Sequence, residues 1–121
     1  MTTLDTLLKE ILQFRDERDW AQFHTPKNLA AALSVETAEL QEAMLWKTDA
    51  EVAQQLADPQ KRQAIRHELA DVMIFALLFA QATGIDPTEA VREKLVHNAA
   101  KYPVEKSRGN AKKYTEHGNA E

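Results

Sequence analysis

Two pairs of carboxylates, each with a spacing of three residues, are the strongest chemical signal in this sequence. The pairs are Glu36 with Glu39 and Glu68 with Asp71. At 100° per residue, each pair falls on the inward, apolar face of a predicted helix, where solvated acids are not expected. Buried carboxylates need a partner, and no Lys or Arg shares these faces. The pattern therefore predicts a divalent cation site, and oxygen-only ligands favour Mg²⁺, or Mn²⁺, over zinc.

Other features of the sequence narrow the chemistry. There is no cysteine, which excludes disulfides, thiol catalysis, zinc fingers and Cys-held iron–sulfur clusters. There is no Gly-x-x-x-x-Gly-Lys loop, which excludes a P-loop enzyme. A di-iron carboxylate bundle is the rival, but it needs Glu-x-x-His on two helices, and His67 is adjacent to Glu68. Because Mg²⁺ is typically bound together with substrate phosphates, we expect a metal-activated water that attacks phosphorus.

The elements that must position these acids are helices. The chain has 121 residues, of which 44% are hydrophobic, with only three glycines and four prolines, and this composition predicts one all-α domain. No alternating pattern predicts a strand. The apolar spacing predicts helices over residues 4–20, 26–46, 49–57, 59–83 and 87–102.

Capping signals define the ends of these helices. A capping residue followed by proline begins three of them, at Thr25, Asp58 and Asp86. Thr48 and Glu51 have the spacing of a capping box at the start of the short helix. Gly84 is expected to supply a left-handed helix end.

The apolar run at residues 72–80 bears on assembly. Its nine residues are too few for a membrane span, which needs about 20. Because the run is apolar on all sides, we expect burial between layers that include a second subunit, although the neighbouring helices of one chain are an alternative.

Charge and targeting signals bear on partners and location. The N-terminus lacks the features of a signal peptide, which favours a cytoplasmic protein. The net charge of −4 argues against binding a nucleic-acid polymer. The segment 101–113 carries five Lys or Arg against one Glu, which suits either a small polyanion or a solvated tail.

Longer strings around the acids resemble a known family. The motif E36-T-A-E39 followed by E68-L-A-D71 resembles the signature of the MazG-like, all-α nucleoside triphosphate pyrophosphohydrolases. The strings ERDWAQFHTPKNLA, ETAELQEAMLWK, ELADVMIFALL and KYP…SRGNAKKYT are similar to the dCTP pyrophosphatase branch. The similarity runs from about Leu4 to Tyr114, and the order and spacing of the strings make it specific.

The resemblance implies a fold and an activity. The fold would be a four-helix MazG-like bundle over residues 1–114, completed by oligomerisation as a dimer or tetramer, with a disordered tail at 115–121. The activity would be Mg²⁺-dependent hydrolysis of dCTP or a modified dCTP to the monophosphate and pyrophosphate. Another nucleotide such as dATP or dUTP, and a non-catalytic helical interaction module, are the alternatives.

The resemblance also implies roles for particular residues. The metal ligands would be Glu36, Glu39, Glu68 and Asp71, with Glu39 also orienting or deprotonating the attacking water. Lys101 would neutralise charge on the phosphates. The substrate contacts would come from Trp20, Phe23, His24, Trp46, Phe75, Asn98, Lys101 and Tyr102.

Three residues near the expected base site, Trp46, Phe75 and Ile11, bear on which base is preferred. Trp46 follows Glu39 by seven residues, two turns on one predicted helix, which suits either base stacking or a core position. Phe75 stands where animal relatives are expected to have tyrosine, and Ile11 replaces a polar residue near the base. Both departures affect base preference and leave the metal set intact.

Overall fold

The regular structure in the described part of the chain is entirely helical. The computed structural model describes residues 3–116. Its helices are α1 (Leu4–Glu17), α2 (Pro26–Glu42), α3 (Asp49–Ala57), α4 (Pro59–Thr83), α5 (Pro87–Lys101) and α6 (Val104–Ser107), with 3-10 helices at Ala21–Phe23 and Tyr114–Glu116. The all-α prediction is confirmed. The predicted tail at 115–121 lies outside the described residues, apart from its first two, which belong to the last 3-10 helix.

Within residues 3–116, no single helix is long and apolar enough to cross a membrane, although α4 and α5 taken together meet that test by length and composition only.

Side-chain caps begin the helices where the sequence predicts them. Thr25, Asp58 and Asp86 are N-caps, and each is followed by a proline in the first turn. The Asp58 carboxylate, for example, accepts the backbone N–H groups of Gln60 and Lys61 at 2.9 and 3.3 Å. These bonds satisfy donors that have no partner within the helix.

A complete capping box begins α3. The Thr48 hydroxyl accepts the Glu51 backbone N–H at 3.1 Å, and the Glu51 carboxylate accepts the Thr48 backbone N–H at 3.1 Å. The bond from the Thr48 backbone lowers the pKa of Glu51, because it stabilises the ionised carboxylate. The predicted capping box is therefore confirmed.

The predicted end of α2 is wrong by four residues. The helix ends at Glu42, and Trp46 lies in the following turn with a left-handed φ of 64°. The Ala43 carbonyl accepts the Gln55 side-chain amide at 3.0 Å and the Lys47 ammonium at 3.1 Å. Because these groups satisfy a carbonyl at the helix end, no further turn is needed. Trp46 therefore does not share a helical face with Glu39.

The predicted end of α1 is also too late, by three residues. The helix ends at Glu17, and the chain turns through Asp19, whose φ is 53°. The Trp20 backbone N–H then donates to the Arg15 carbonyl at 3.1 Å. This bond closes a tight turn, which returns Trp20 towards the end of α1.

The chain divides into two compact units, one up to Ile85 and one from Asp86 onward. In the first unit α2 packs mainly against α4, and α3 and α1 also contact α4. The buried apolar side chains of this unit are Leu29, Leu77, Leu78 and Ala80.

Burial of the apolar run at 72–80 is incomplete. Leu77 and Leu78 are buried, but Met73 keeps 50% of its surface exposed. Leu69, one turn earlier on α4, is 49% exposed, and Val35 on α2 is 56% exposed. The first unit therefore retains accessible apolar surface on both of the helices that carry the acid pairs.

Gly84 ends α4 in the left-handed conformation, with φ of 70° and ψ of 18°, as the sequence predicts. A Cβ at this position would meet nothing within 4 Å, so only the backbone would be strained. We expect Gly84→Ala to lower the free energy of unfolding by about 1–2 kcal/mol in urea denaturation. Gly84→Asn should cost less, because Asn tolerates this conformation. Equal stability of Gly84→Ala and the wild type would contradict the backbone argument.

Candidate functional site

Three of the four predicted ligands form one cluster between α2 and α4. Glu36, Glu39 and Glu68 each offer a carboxylate oxygen, and these oxygens lie within 4.8 Å of one another. The spacing of three residues places Glu36 and Glu39 on one side of α2, and the packing of α2 on α4 brings Glu68 to them. Glu36 and Glu68 are partly buried, while Glu39 is exposed to solvent.

Two oxygens of this cluster are buried without a partner. Glu36 Oε2 and Glu68 Oε2 accept no hydrogen bond from the described residues. The ion pairs found within residues 3–116 are Arg15 with Asp16 and Arg18 with Glu17, and neither involves the cluster. Buried polar atoms in folded proteins are normally paired, so these oxygens point to a ligand that supplies positive charge.

The electrostatics of the cluster agree with this inference. Burial raises the pKa of Glu36, and the neighbouring Glu39, Asp71 and Glu68 raise it further. Burial also raises the pKa of Glu68, with the same sense of effect from Glu39 and Asp71 and an opposing effect from His67. Asp71 thus lies within electrostatic reach of both glutamates, although it is not one of the three clustered ligands.

The donor set fits a hard divalent cation. All donors of the cluster are carboxylate oxygens, which suit Mg²⁺ and Mn²⁺ better than zinc. A cation at this position would also relieve the repulsion that raises the two pKa values.

An apolar cavity of about 430 Å³ lies beside the acids. Its walls come from α1, α4 and the loop between α1 and α2, and they are formed by Leu7, Glu10, Ile11, Phe14, Arg15, Trp20, His24, Asp71, Ile74, Phe75 and Leu78. Asp71 is the residue that this cavity has in common with the four predicted metal ligands. The cavity therefore includes a carboxylate that lies within electrostatic reach of the acid cluster.

Three of the predicted base contacts line this cavity. They are Trp20, His24 and Phe75, and the rings of His24 and Phe75 meet edge-on with centroids 6.5 Å apart. Phe23 and Trp46 are not in its wall. Phe23 lies in the 3-10 helix with 59% of its surface exposed, and Trp46 is 92% exposed.

His24 contributes a neutral ring to the cavity. Its Nδ1 is buried and has no partner among the described residues. Burial lowers the pKa of His24, and the positive charge of Arg15 lowers it further. Because the ordinary pKa of histidine is already below 7, this shift favours the neutral ring at pH 7, and a neutral ring can pack against an aromatic group.

The remaining predicted substrate contacts belong to the second unit. Asn98 and Lys101 lie on α5, and Tyr102 caps its C-terminus. The Lys101 ammonium lies 4.8 Å from the centroid of the Tyr114 ring, and the rings of Tyr102 and Tyr114 meet edge-on at 6.1 Å. Their roles at the acids stay predictions.

Sequence reasoning missed two polar residues of the cavity, Glu10 and Arg15. Arg15 keeps only 16% of its side chain exposed. Glu10 and Arg15 flank Ile11 and Phe14 on the cavity side of α1, and that helical spacing was the available signal. This signal is weak, because charged residues on a helix are usually solvated.

Comparisons with known proteins agree with this geometry. Residues 31–116 match the MazG-like family. The chain is 43% identical to rat dCTP pyrophosphatase 1 and 41% identical to the human protein of that name, each over 114 residues that cover 94% of this chain and 67% of the relative. It is similar in structure to a crystal structure of a pyrophosphatase from Archaeoglobus fulgidus, with a TM-score of 0.77 and 38% identity, covering 85% of this chain and 94% of that one.

The acid cluster predicts stabilisation by divalent cations. A cation that binds only the folded state at 100 times its Kd adds about 2.7 kcal/mol, so Mn²⁺ or Mg²⁺ should raise the melting temperature. Glu39→Gln should remove most of this shift, because it takes one ligand charge from the cluster. Glu17→Gln, which neutralises an exposed acid on α1, is the matched control and should keep the full shift. The same shift in both variants would place cation binding elsewhere.

Proposed function

This chain belongs to the MazG-like family, and on that premise we propose that it is a divalent-cation-dependent nucleotide pyrophosphohydrolase. Its preferred substrate is dCTP or a modified dCTP, and its products are the monophosphate and pyrophosphate. The observation that carries the proposal is the position of Asp71, in the wall of the apolar cavity and within electrostatic reach of Glu36 and Glu68. A nucleotide-binding site needs an apolar cavity next to a charged cluster, because the base is largely apolar on both faces and the phosphates are charged.

The acids of α2 and α4 are the proposed metal ligands. Glu36, Glu39, Glu68 and Asp71 would hold Mg²⁺, with Mn²⁺ as the alternative ion. When bound, the ion offsets the charge on phosphate oxygens and lowers the pKa of a water molecule.

Glu39 is the proposed catalytic base. It is the exposed member of the cluster, and it interacts with both Glu36 and Glu68. A carboxylate in that position can orient the attacking water and take its proton as the water oxygen bonds to the α phosphorus. The bond from the α phosphorus to the bridging oxygen then breaks, and pyrophosphate leaves. Lys101 is assigned to the phosphates, where its positive charge would offset the negative charge that develops on them.

The cavity is assigned to the base. Trp20 and Phe75 supply aromatic surface, and the neutral His24 ring adds to it without introducing a charge. Stacking on aromatic side chains is worth about 1–3 kcal/mol per base. That remote binding energy can position the reacting phosphate. Phe23, Trp46, Asn98 and Tyr102 are assigned to the remaining contacts with base and sugar.

The proposed active form is a homo-oligomer, a dimer or a tetramer. Its support is the accessible apolar surface of the first unit, where Val35, Leu69 and Met73 each expose about half of their surface. Side chains of this size stabilise a protein by about 1.5–3 kcal/mol each when fully buried. Association through these helices would therefore also hold α2 and α4, and the acids on them, in place.

The alternatives differ in what they leave unexplained. A non-catalytic helical module needs no cluster of buried, unpaired carboxylate oxygens, so Glu36 and Glu68 argue against it. Hydrolysis of another nucleotide, such as dATP or dUTP, keeps the same chemistry and differs only at the cavity. Activity on a panel of nucleotides distinguishes these hypotheses.

The first test concerns the bond that breaks. With dCTP and Mg²⁺, ion-exchange chromatography should show dCMP and pyrophosphate as the only products. Glu39→Gln and Asp71→Asn should each lower kcat by about 100-fold or more, the scale for loss of one charge-stabilising group. Circular dichroism should show unchanged helix content, and Glu17→Gln should retain wild-type turnover. Release of dCDP and orthophosphate would contradict the proposed reaction.

The second test concerns assembly. Light scattering at micromolar concentration should give a mass of at least twice the 13.7 kDa of one chain. Met73→Glu should shift the protein towards the monomer, because it places a charge on accessible apolar surface that association would bury. Gln60→Glu adds the same charge to an exposed position of the same helix and should leave the mass unchanged. A wild-type monomer would rule out the proposed assembly.

A further inference from the structure

Arg15 is held in the wall of the apolar cavity by contacts at both sides of its guanidinium group. Its Nε donates to Asp16 Oδ1 at 2.8 Å, and its Nη2 lies 2.7 Å from the same oxygen. Its Nη1 donates to Gln81 Oε1 on α4 at 3.1 Å. The side chain is only 16% exposed. Arg15 is therefore fixed in place between α1 and α4.

These contacts leave donors of Arg15 unused. A guanidinium has five N–H groups, and the contacts to Asp16 and Gln81 engage one each on Nε, Nη2 and Nη1. One N–H therefore remains on each terminal nitrogen, and no acceptor for either is found within residues 3–116. In a largely apolar cavity, unsatisfied donors on a fixed cation favour a ligand that presents acceptors.

The position of Arg15 along the cavity identifies the part of a nucleotide that it would meet. Its anchor Gln81 follows Asp71 by ten residues on α4, which is about 15 Å at 1.5 Å per residue. Asp71 marks the end of the cavity at the acid cluster, where the phosphates are proposed to lie. Arg15 thus lies at the opposite end, where the edge of the base would be.

We propose that Arg15 is a specificity-determining residue that recognises the adjacent N3 and O2 acceptors of a cytosine base. Cytosine offers acceptors at both positions, so a guanidinium can donate to the two together. Uracil and thymine carry a hydrogen on N3, which meets the Arg15 donors as a second donor. The 5-position lies away from this edge, so 5-modified cytosines are accepted. This inference rests on the proposed function, because it assigns the cavity to the base.

The test uses binding of the product, which does not depend on turnover. In isothermal titration calorimetry with Mg²⁺, the wild type should bind dCMP about tenfold or more tightly than 3-deaza-dCMP, which has a C–H in place of N3. That factor corresponds to one hydrogen bond to a charged group. The wild type should discriminate against dUMP by a similar or larger factor. Equal Kd values for dCMP and 3-deaza-dCMP would overturn the proposal without any variant.

Two variants separate direct recognition from a structural role. Arg15→Met removes the donors at similar length, so it should give dCMP and 3-deaza-dCMP the same Kd. The loss should be smaller for 3-deaza-dCMP, because that base offers Arg15 only its O2 acceptor. Arg15→Lys keeps the charge without the planar pair of donors, and it should also lose most of the N3 discrimination. Lys9→Met removes an exposed cation from the same helix and should bind both nucleotides as the wild type does.

The outcomes distinguish this inference from the proposed function. A parallel loss for dCMP and 3-deaza-dCMP in Arg15→Met, or full N3 discrimination in Arg15→Lys, would overturn the role of Arg15. If Arg15→Met does not fold, the Kd values of dCMP and 3-deaza-dCMP for the wild type and for Arg15→Lys still test the role of Arg15. Absence of pyrophosphate release from every nucleotide would defeat the proposed function, whereas N3-dependent binding of dCMP would still support Arg15.

Discussion

Repulsion among carboxylates at the contact between α2 and α4 is the constraint on which the rest of the site depends. Packing of the two helices brings Glu36, Glu39 and Glu68 together and leaves two of their oxygens buried without partners. No ion pair within residues 3–116 involves these acids, and His67 offsets only part of the charge at Glu68, so a cation bound here would stabilise the helix pair. The same two helices expose apolar surface that association can cover. A cation at the acids and burial of this apolar surface would therefore both stabilise the same helix pair.

The features that the sequence predicts correctly are those set by residues close together in the chain. The cap at Asp58, the capping box at Thr48 and the left-handed end at Gly84 each depend on neighbours within a few positions. The position of Glu36 and Glu39 on one side of α2 belongs to the same class, because a spacing of three residues on a helix fixes a shared face. Burial between adjacent helices then follows from the apolar pattern around each pair.

The features that the sequence does not predict depend on side chains far apart in the chain. The end of α2 is set partly by Gln55, which donates to the Ala43 carbonyl twelve residues earlier. The orientation of Arg15 depends on Gln81, which is 66 residues away. Helical periodicity contains no information about such pairs, so it predicts a helical position for Trp46 and no role for Arg15. Helical periodicity likewise does not predict where side chains of the second unit lie relative to the acids.

Asp71 links the apolar cavity to the acid cluster, and this link has a thermodynamic consequence for binding at both places. Because its carboxylate is in the wall of the cavity and also acts on Glu36 and Glu68, an occupant of the cavity and a cation at the acids each change the surroundings of the same group. Their binding free energies are then not independent. By reciprocity, the factor by which the occupant changes the affinity for the cation equals the factor by which the cation changes the affinity for the occupant. A single shared side chain would therefore couple the binding of a cation to the binding of a ligand in the cavity.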